Sequence, residues 1–449
     1  MQILWRIAKR AGKYKGRLIL AYLSVLGVSV FAIMIPRILG TTIDKILPEE
    51  GVIPPDAPRQ LLLAALAILV VSILRGISAF GQTYLGESIG QRVAYDLRNE
   101  FYDHLQRMSF AFHDKEQTGN LMSKATADVE GIRMFIQTGL IRSVYMLTLL
   151  IGVGTVMFML NWQLAFLSLI FVPIILWRGG YLAIRLRRTW LSVQEEMGHM
   201  TTVLQENLSG QRVVKAFAAE DHERRRFHHR AANVARNTYE AAVYQASNTG
   251  MFTLFFVGAT GLILWAGGRQ VIAGTLTEGE LAQFIFYLGL LAMPVRMAAW
   301  VVNSFSRAMS AGQRIFATLD SESPVEEKRN ALVLPRVQGH VKFEDVSFGY
   351  DAVSPVLNHI SLEAKPTQVI AMVGAPGSGK STIVHLIPRF YDVTGGRVTI
   401  DDIPVGDVTM ASLRANIGIV QQDVFLFTST IRENITYGVV DASLDQVVR

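Results

Sequence analysis

Gly374-Ala375-Pro376-Gly377-Ser378-Gly379-Lys380-Ser381-Thr382 fits the pattern GxxxxGK[ST], a loop built to wrap phosphate. Each residue type has a physical task. Glycines let successive backbone N–H groups turn inward on phosphate oxygens, Lys380 supplies a point charge for the β and γ phosphates, and the Ser381 hydroxyl can ligate Mg²⁺. The flanks suit the motif. Gln368 to Val373 is a near-continuous apolar run that predicts a buried parallel strand, and Ser381 to Arg389 predicts a helix with apolar residues toward the sheet.

Further strand patterns lie on both sides, at Val341 to Phe348, Leu357 to Leu362 and Gly396 to Ile400, and Arg414 to Gln421 passes from a short helix into another strand. Strand and helix signals alternating around a phosphate loop predict an α/β nucleotide-binding domain over residues 339–449. It is preceded by a charged, proline-containing stretch, Asp320 to Asn330, so residues 320–338 read as a linker and residues 1–319 as a separate domain.

That first domain has a different solvent. Half of the whole chain is hydrophobic, only 18% is charged and the mean hydropathy is +0.30, a balance that places part of it in lipid. The formal charge of +6 taken alone suggests nucleic acid. Its distribution excludes that partner, because Lys and Arg crowd between and beside the apolar runs, as on the cytoplasmic side of a membrane protein. There is no cysteine, which excludes disulfides and thiolate metal sites. Apolar runs at about residues 18–38, 61–80, 138–159, 164–181, 243–268 and 281–303 predict six membrane spans. The opening residues carry Arg6, Lys9, Arg10, Lys13, Lys15 and Arg17 with no acid and no clear cleavage site after them, so the N-terminus is expected in the cytosol. Six spans return the chain to that side, where ATP is.

Between the spans the chain stays helical while turning polar. A helix from Leu61 to Arg107 is about 70 Å long, more than twice the hydrocarbon thickness, and must project into the cytosol. Ser109 to Gly119 breaks it, and Thr189 to Tyr239 forms a second excursion with its midpoint at Glu206 to Phe217. Two such hairpins have the proportions of levers. Arg75 and Arg296 fall inside spans and need a neighbour other than lipid; an anionic headgroup and interhelical pairing serve equally well.

This order of parts resembles the ATP-binding cassette exporters of the half-transporter type, over essentially the whole chain. Phe343 to Tyr350 is similar to the family's opening strand, which implies that Tyr350 lies over the adenine. Gly374, Ala375, Pro376, Gly377, Ser378, Gly379, Lys380, Ser381 and Thr382 match its phosphate loop. Ile417 to Phe427, followed by Thr430 to Ile435, is similar to its glutamine loop, which implies that Gln422, with Gln421 the adjacent alternative, meets Mg²⁺ and the attacking water. Phe112, His113, Asp114 and Gly119, and on the other hairpin Leu208, Ser209, Gly210 and Arg212, resemble the two coupling regions, the first seated on its own nucleotide domain and the second on a partner's. Leu208-Ser209-Gly210-Gln211 is similar to the family's signature sequence but lacks a glycine and precedes the nucleotide domain, so it is assigned to the second coupling region.

The resemblance implies a multi-pass protein, expected in a bacterial inner membrane, with its nucleotide domain in the cytosol. ATP and Mg²⁺ are the expected cofactors, and a second half-transporter, identical or related, is the expected partner. Lys380 and Gln422 are the expected catalytic participants. The predicted activity is ATP-driven export of a lipid-like, amphipathic or drug-like compound. The alternatives are a catalytically silent or regulatory half of a heterodimer and a membrane-anchored nucleotide sensor. The sequence departs from the family's pattern in stopping at Arg449, before the signature, the catalytic glutamate and the switch histidine, so it is expected to be a truncated chain with an incomplete nucleotide domain that is not hydrolytically competent alone.

Overall fold

Residues 2–46, 54–351, 354–422, 424–439 and 442–448 are described by the structure, a computed structural model. The chain divides into two compact units, Met1–Asp103 with Leu121–Asp320, and His104–Asn120 with Ser321–Arg449. Residues 104–120, though enclosed in sequence by the first unit, thus belong with the second.

Among its described residues the first unit is helical. Its long helices are α1 (Gln2–Ile46), α2 (Ala57–Arg107), α4 (Thr118–Leu160), α5 (Trp162–Ser209), α7 (Glu220–Ile272) and α8 (Glu278–Leu319), with the short helix α6 (Gln211–Ala216) at one hairpin tip; the short helix α3 (Phe110–Lys115), at the other tip, belongs with the second unit. Each long helix carries a window apolar enough to cross a membrane. In α2 only 6% of that window is buried against protein, leaving Leu62, Leu66, Leu69, Ile73, Ile77 and Phe80 exposed. Such a surface is unstable in water and neutral in hydrocarbon, which identifies lipid as its solvent. Where the helices do meet, Val153, Met157, Leu164, Ile263, Phe284, Tyr287 and Leu291 form a buried apolar core.

Helix ends explain the sharp turns. Asn161 leaves helical geometry and its side-chain oxygen accepts from the N–H groups of Gln163 and Leu164, both at 3.1 Å, so a single residue separates α4 from α5. At the start of α8, Thr277 and Glu280 form a reciprocal capping box. Asp44 of α1 adds a second cap there, accepting from the Thr277 hydroxyl at 2.9 Å and from Gly279 N at 2.7 Å. Two glycines permit this approach, since a Cβ on Gly279 would lie 2.0 Å from the carbonyl oxygen of Gly40. Toward the opposite end, ion pairs replace apolar contact. Arg6 grips Asp320 at 2.6 and 2.8 Å, Arg10 pairs with Glu100, and Arg314 donates to the buried Asp128 at 2.7 Å through Nε. Helix α8 runs on past the sixth span to Leu319, because Pro294 removes one backbone hydrogen bond without ending it.

The second unit is built on a four-stranded antiparallel sheet in the order β2-β1-β3-β4, with β1 Val341–Phe348, β2 Leu357–Ala364, β3 Gly395–Ile400 and β4 Ile403–Pro404. Val341 pairs with Ala364 on one side and with Ile400 on the other. Phe343, Phe348, Leu357, Leu386, Tyr391, Val398, Ile400, Val408 and Leu413 form its core, joined by Ala111 from α3. Helix α9 (Lys380–Leu386) follows the phosphate loop, and α10 (Met410–Ala415), α11 (Ile431–Ile435) and α12 (Leu444–Val448) are short.

Two predicted strands are absent. Residues 368–373 and 417–421 are neither helix nor strand and join no strand ladder among the described residues, and Val369, Val373 and Val420 are 92%, 97% and 100% exposed. Apolar composition gives a segment the capacity to be a buried strand. The strand itself is made by neighbours that supply a ladder on each side, and the four strands present satisfy one another. All pairings among the four strands are antiparallel, and an isolated bridge between Leu332 and Val408 is parallel.

Candidate functional site

The phosphate loop runs exposed from Gly374 to Ser378 and closes on the buried Gly379. Gly377 and Gly379 sit at φ +82° and +85°, conformations that side chains with a Cβ rarely adopt, and a Cβ on Gly379 would also meet Leu357 at 2.7 Å. Ala375 and Pro376 form the outer arc, where Ser378 N donates to Ala375 O at 3.2 Å. The three donors of the Lys380 ammonium are all used inside the loop, toward Gly374 O at 2.9 Å, Ala375 O at 2.8 Å and the Ser378 hydroxyl at 3.3 Å. Its charge is therefore held at the mouth of the loop by weakly competing acceptors. Ser381 is exposed, and its hydroxyl makes no hydrogen bond among the described residues. Thr382, one residue on, turns inward and is buried.

Tyr350 stands beside this loop. Its hydroxyl lies 3.1 Å from that of Thr382, and its ring is half exposed, edge-on to Phe348 at 5.0 Å and to Tyr391 at 5.1 Å between centroids. An aromatic face so fixed and partly open is suited to stacking a planar base. Gln421 and Gln422 are exposed, and among the described residues no hydrogen bond joins either to the loop; Asp423 lies outside the described residues. The segment after them is locally braced. Asn434 accepts from Phe427 N at 2.9 Å and donates to Phe427 O at 3.1 Å, while Thr430 and Glu433 form a capping box.

Of the first group of predicted coupling residues, Asp114 reaches the sheet's core, as does the neighbouring Phe110. Asp114 accepts from the Tyr391 hydroxyl at 2.5 Å, Phe110 stacks on Phe390 at 4.3 Å, His113 meets the backbone carbonyl of Leu105 at 3.1 Å, and Phe112 packs edge-on against His113. Gly119 is exposed at the start of α4. The second group lies in the first unit. Leu208, Ser209 and Arg212 are exposed around Gly210, which ends α5 before α6, and Asn207 and Glu206 hold the returning α7 through Glu223 and Arg226, both at 3.0 Å.

Sequence reading missed Arg389, Phe390, Tyr391 and Arg414. Arg389 is buried at φ +53° and is held there by Asp392 at 2.6 and 3.1 Å and by Glu326 O at 2.9 Å. That geometry aims the next two aromatics at α3 and Tyr350. Arg414 donates to the carbonyls of Pro388 and Arg389, at 3.2 and 3.3 Å, and stacks on Phe390. Burial first, and the charge of Arg389 second, lower its pKa from the usual arginine value. Burial and the Asp114 carboxylate push the Tyr391 phenol well above the ordinary tyrosine range, so it remains a neutral donor. The only available signal was two adjacent aromatics directly after the phosphate-loop helix.

Comparison with known proteins agrees with this architecture. The family model described as ABC transporter transmembrane region matches residues 18–295, and that described as ABC transporter matches residues 357–449. The chain is 33% identical to an ATP-dependent lipid A-core flippase of Syntrophus aciditrophicus, covering 100% of this chain and 73% of that protein. It is 34% identical to an uncharacterized ABC transporter ATP-binding protein, YknU, of Bacillus subtilis, covering 100% of this chain and 76% of the relative. A putative multidrug export ATP-binding/permease protein of Bacillus subtilis, YgaD, is 30% identical, with 100% and 77% covered. With six membrane-length helices and a phosphate-loop domain in one polypeptide, the chain belongs to the ABC transporters and has the half-transporter architecture of their exporters.

Proposed function

We propose that this protein exports a lipid-like, amphipathic or drug-like compound across a membrane, driven by ATP. The observation that carries the reading is the union, in one chain, of six apolar helices with a phosphate loop whose lysine is already placed at its mouth. The names of its relatives, lipid A-core flippase and multidrug export protein, fit the same substrate class.

In this reading the loop N–H groups from Gly374 to Thr382 hold the phosphates, and Lys380 exchanges its loop carbonyls for β and γ oxygens. Tyr350 stacks on the base. The free Ser381 hydroxyl and the exposed Gln422 amide fit Mg²⁺, a hard cation that accepts neutral oxygen ligands alongside phosphate. The ion, when held there, neutralises charge on the transferred phosphoryl group. ATP favours the state with most contacts to it, and that difference in affinity is what can shift the membrane helices. A second half-transporter subunit completes the machine, with the exposed Leu208, Ser209, Gly210 and Arg212 region seated on it. The hairpins and the phosphate-loop domain lie in the cytosol, and a bacterial inner membrane is the proposed location.

The test uses the full-length protein in proteoliposomes with a fluorescent phospholipid as probe. ATP-dependent translocation is expected, and Lys380→Ala is expected to lower it at least a hundredfold. Equal transport by the variant would remove the nucleotide loop from the mechanism.

A further inference from the structure

Tyr391 is the point where three things meet that the family comparison does not connect. It is 7% exposed and lies in the core of the sheet unit. Its hydroxyl donates to Asp114 Oδ2 at 2.5 Å, on the short helix α3 at the end of the first hairpin. Its ring stands edge-on to Tyr350, whose own hydroxyl lies 3.1 Å from that of Thr382, two residues after the lysine of the phosphate loop. Asp114, Tyr391, Tyr350 and Thr382 thus form an unbroken line of contacts, two of them hydrogen bonds, between the hairpin tip and the nucleotide loop.

The line is held rigid at its middle. Arg389 adopts its left-handed backbone under four hydrogen bonds, to Asp392 twice, to Glu326 O and to Gly406 O, which leaves Tyr391 little freedom to turn away. Phe348 closes its other side at 5.6 Å. Asp114, by contrast, is exposed. A buried phenol needs an acceptor for its hydroxyl, and the one Tyr391 uses is a carboxylate on the hairpin helix, so burial of Tyr391 and the position of Asp114 are tied together.

We propose that Tyr391 is a positioning residue that couples base stacking to the hairpin: its ring sets the orientation of Tyr350, and its hydroxyl carries any displacement of that ring to Asp114. Ring and hydroxyl thereby have separable duties. This rests on the reading of Tyr350 and the phosphate loop as the ATP site.

None of these 449 residues is cysteine, so once any cysteine elsewhere in the full-length protein is replaced by serine, K115C at the exposed Lys115 carries a nitroxide that reports the hairpin tip without background. In the full-length protein, ATP with Mg²⁺ is expected to change the nitroxide spectrum. Tyr391→Phe is expected to bind ATP within twofold of the parent yet to lose at least four fifths of the spectral change. Tyr391→Leu, which also removes the ring, is expected to weaken ATP binding at least fivefold. Asp114→Ala should reproduce the phenylalanine variant, and the two together should do no more than either alone. A full response in Tyr391→Phe or in Asp114→Ala, an additive double variant, or a parent that binds ATP without any spectral change each overturns the relay. Lys380→Ala separates the two readings, for ATP binding that survives it refutes the nucleotide site itself.

Discussion

Gly379 is the residue on which the loop's shape turns. Its φ of +85° and the 2.7 Å distance from a would-be Cβ to Leu357 are independent obstacles to any side chain. Gly379→Ala is expected to cost about 1–2 kcal/mol for the backbone conformation alone, more with the clash, and to weaken ATP binding in the same measurement series. Arg389 makes a different prediction. Its guanidinium is buried and shared among Asp392, Glu326 O and Gly406 O, so Arg389→Ala strips three acceptors of their donor. A loss of about 2–4 kcal/mol in chemical denaturation of the sheet unit is expected. A change below half of that would show those acceptors to be satisfied by water.

Capping decides how the helices end and who holds whom. Asp44 bridges α1 to the first turn of α8, so Asp44→Ala is expected to lower thermal stability by about 1–2 kcal/mol, comparable with the loss of a strong cap. The capping box of α11 gives a pH dependence. The Thr430 backbone N–H, and then its hydroxyl, hold the Glu433 carboxyl below its ordinary value of 4.5. A depressed folded pKa contributes stability at pH above the unfolded value and loses it as pH falls through the folded one. The protection of the Thr430 amide, taken as its exchange rate relative to the intrinsic rate at the same pH, should therefore be greatest near neutrality and fall as pH drops below about 4.5. The long helices needed no such detail to be foreseen. An uninterrupted pattern from Leu61 to Arg107 implied one helix, and α2 spans Ala57–Arg107. The two missing strands show the limit of the same logic, because Gln368 to Val373 has a strand's composition without a strand's neighbours.

Across the molecule, solvent is the organising variable. Alkaline carbonate washing is expected to leave the protein with the membrane, and only detergent to release it, because the apolar windows of α1, α2, α4, α5, α7 and α8 are mostly unburied against protein. Release by carbonate would show these windows to be covered by protein instead. The six spans, the helical levers and the phosphate loop were all legible from residues alone, since each depends on local composition or on a fixed short spacing. That residues 104–120 go with the sheet unit was implied only by the family resemblance at Phe112 to Gly119, and the contacts that hold them there were not legible. Ala111, Phe110 and Asp114 carry no mark in sequence of meeting Phe390 and Tyr391 some hundreds of residues later.

By itself, the sequence determined that this chain has a membrane part and a nucleotide part and where its GxxxxGK[ST] loop lies, because helix length, hydropathy and glycine placement are properties of neighbouring residues. Only the tertiary structure decided that Tyr391 lies between Asp114 and Tyr350, that Arg389 is bent to put it there, and that two apolar segments remain unpaired. Those outcomes depend on which distant surfaces arrive at the same place, and a hydrogen bond or a strand ladder exists only when its second partner does.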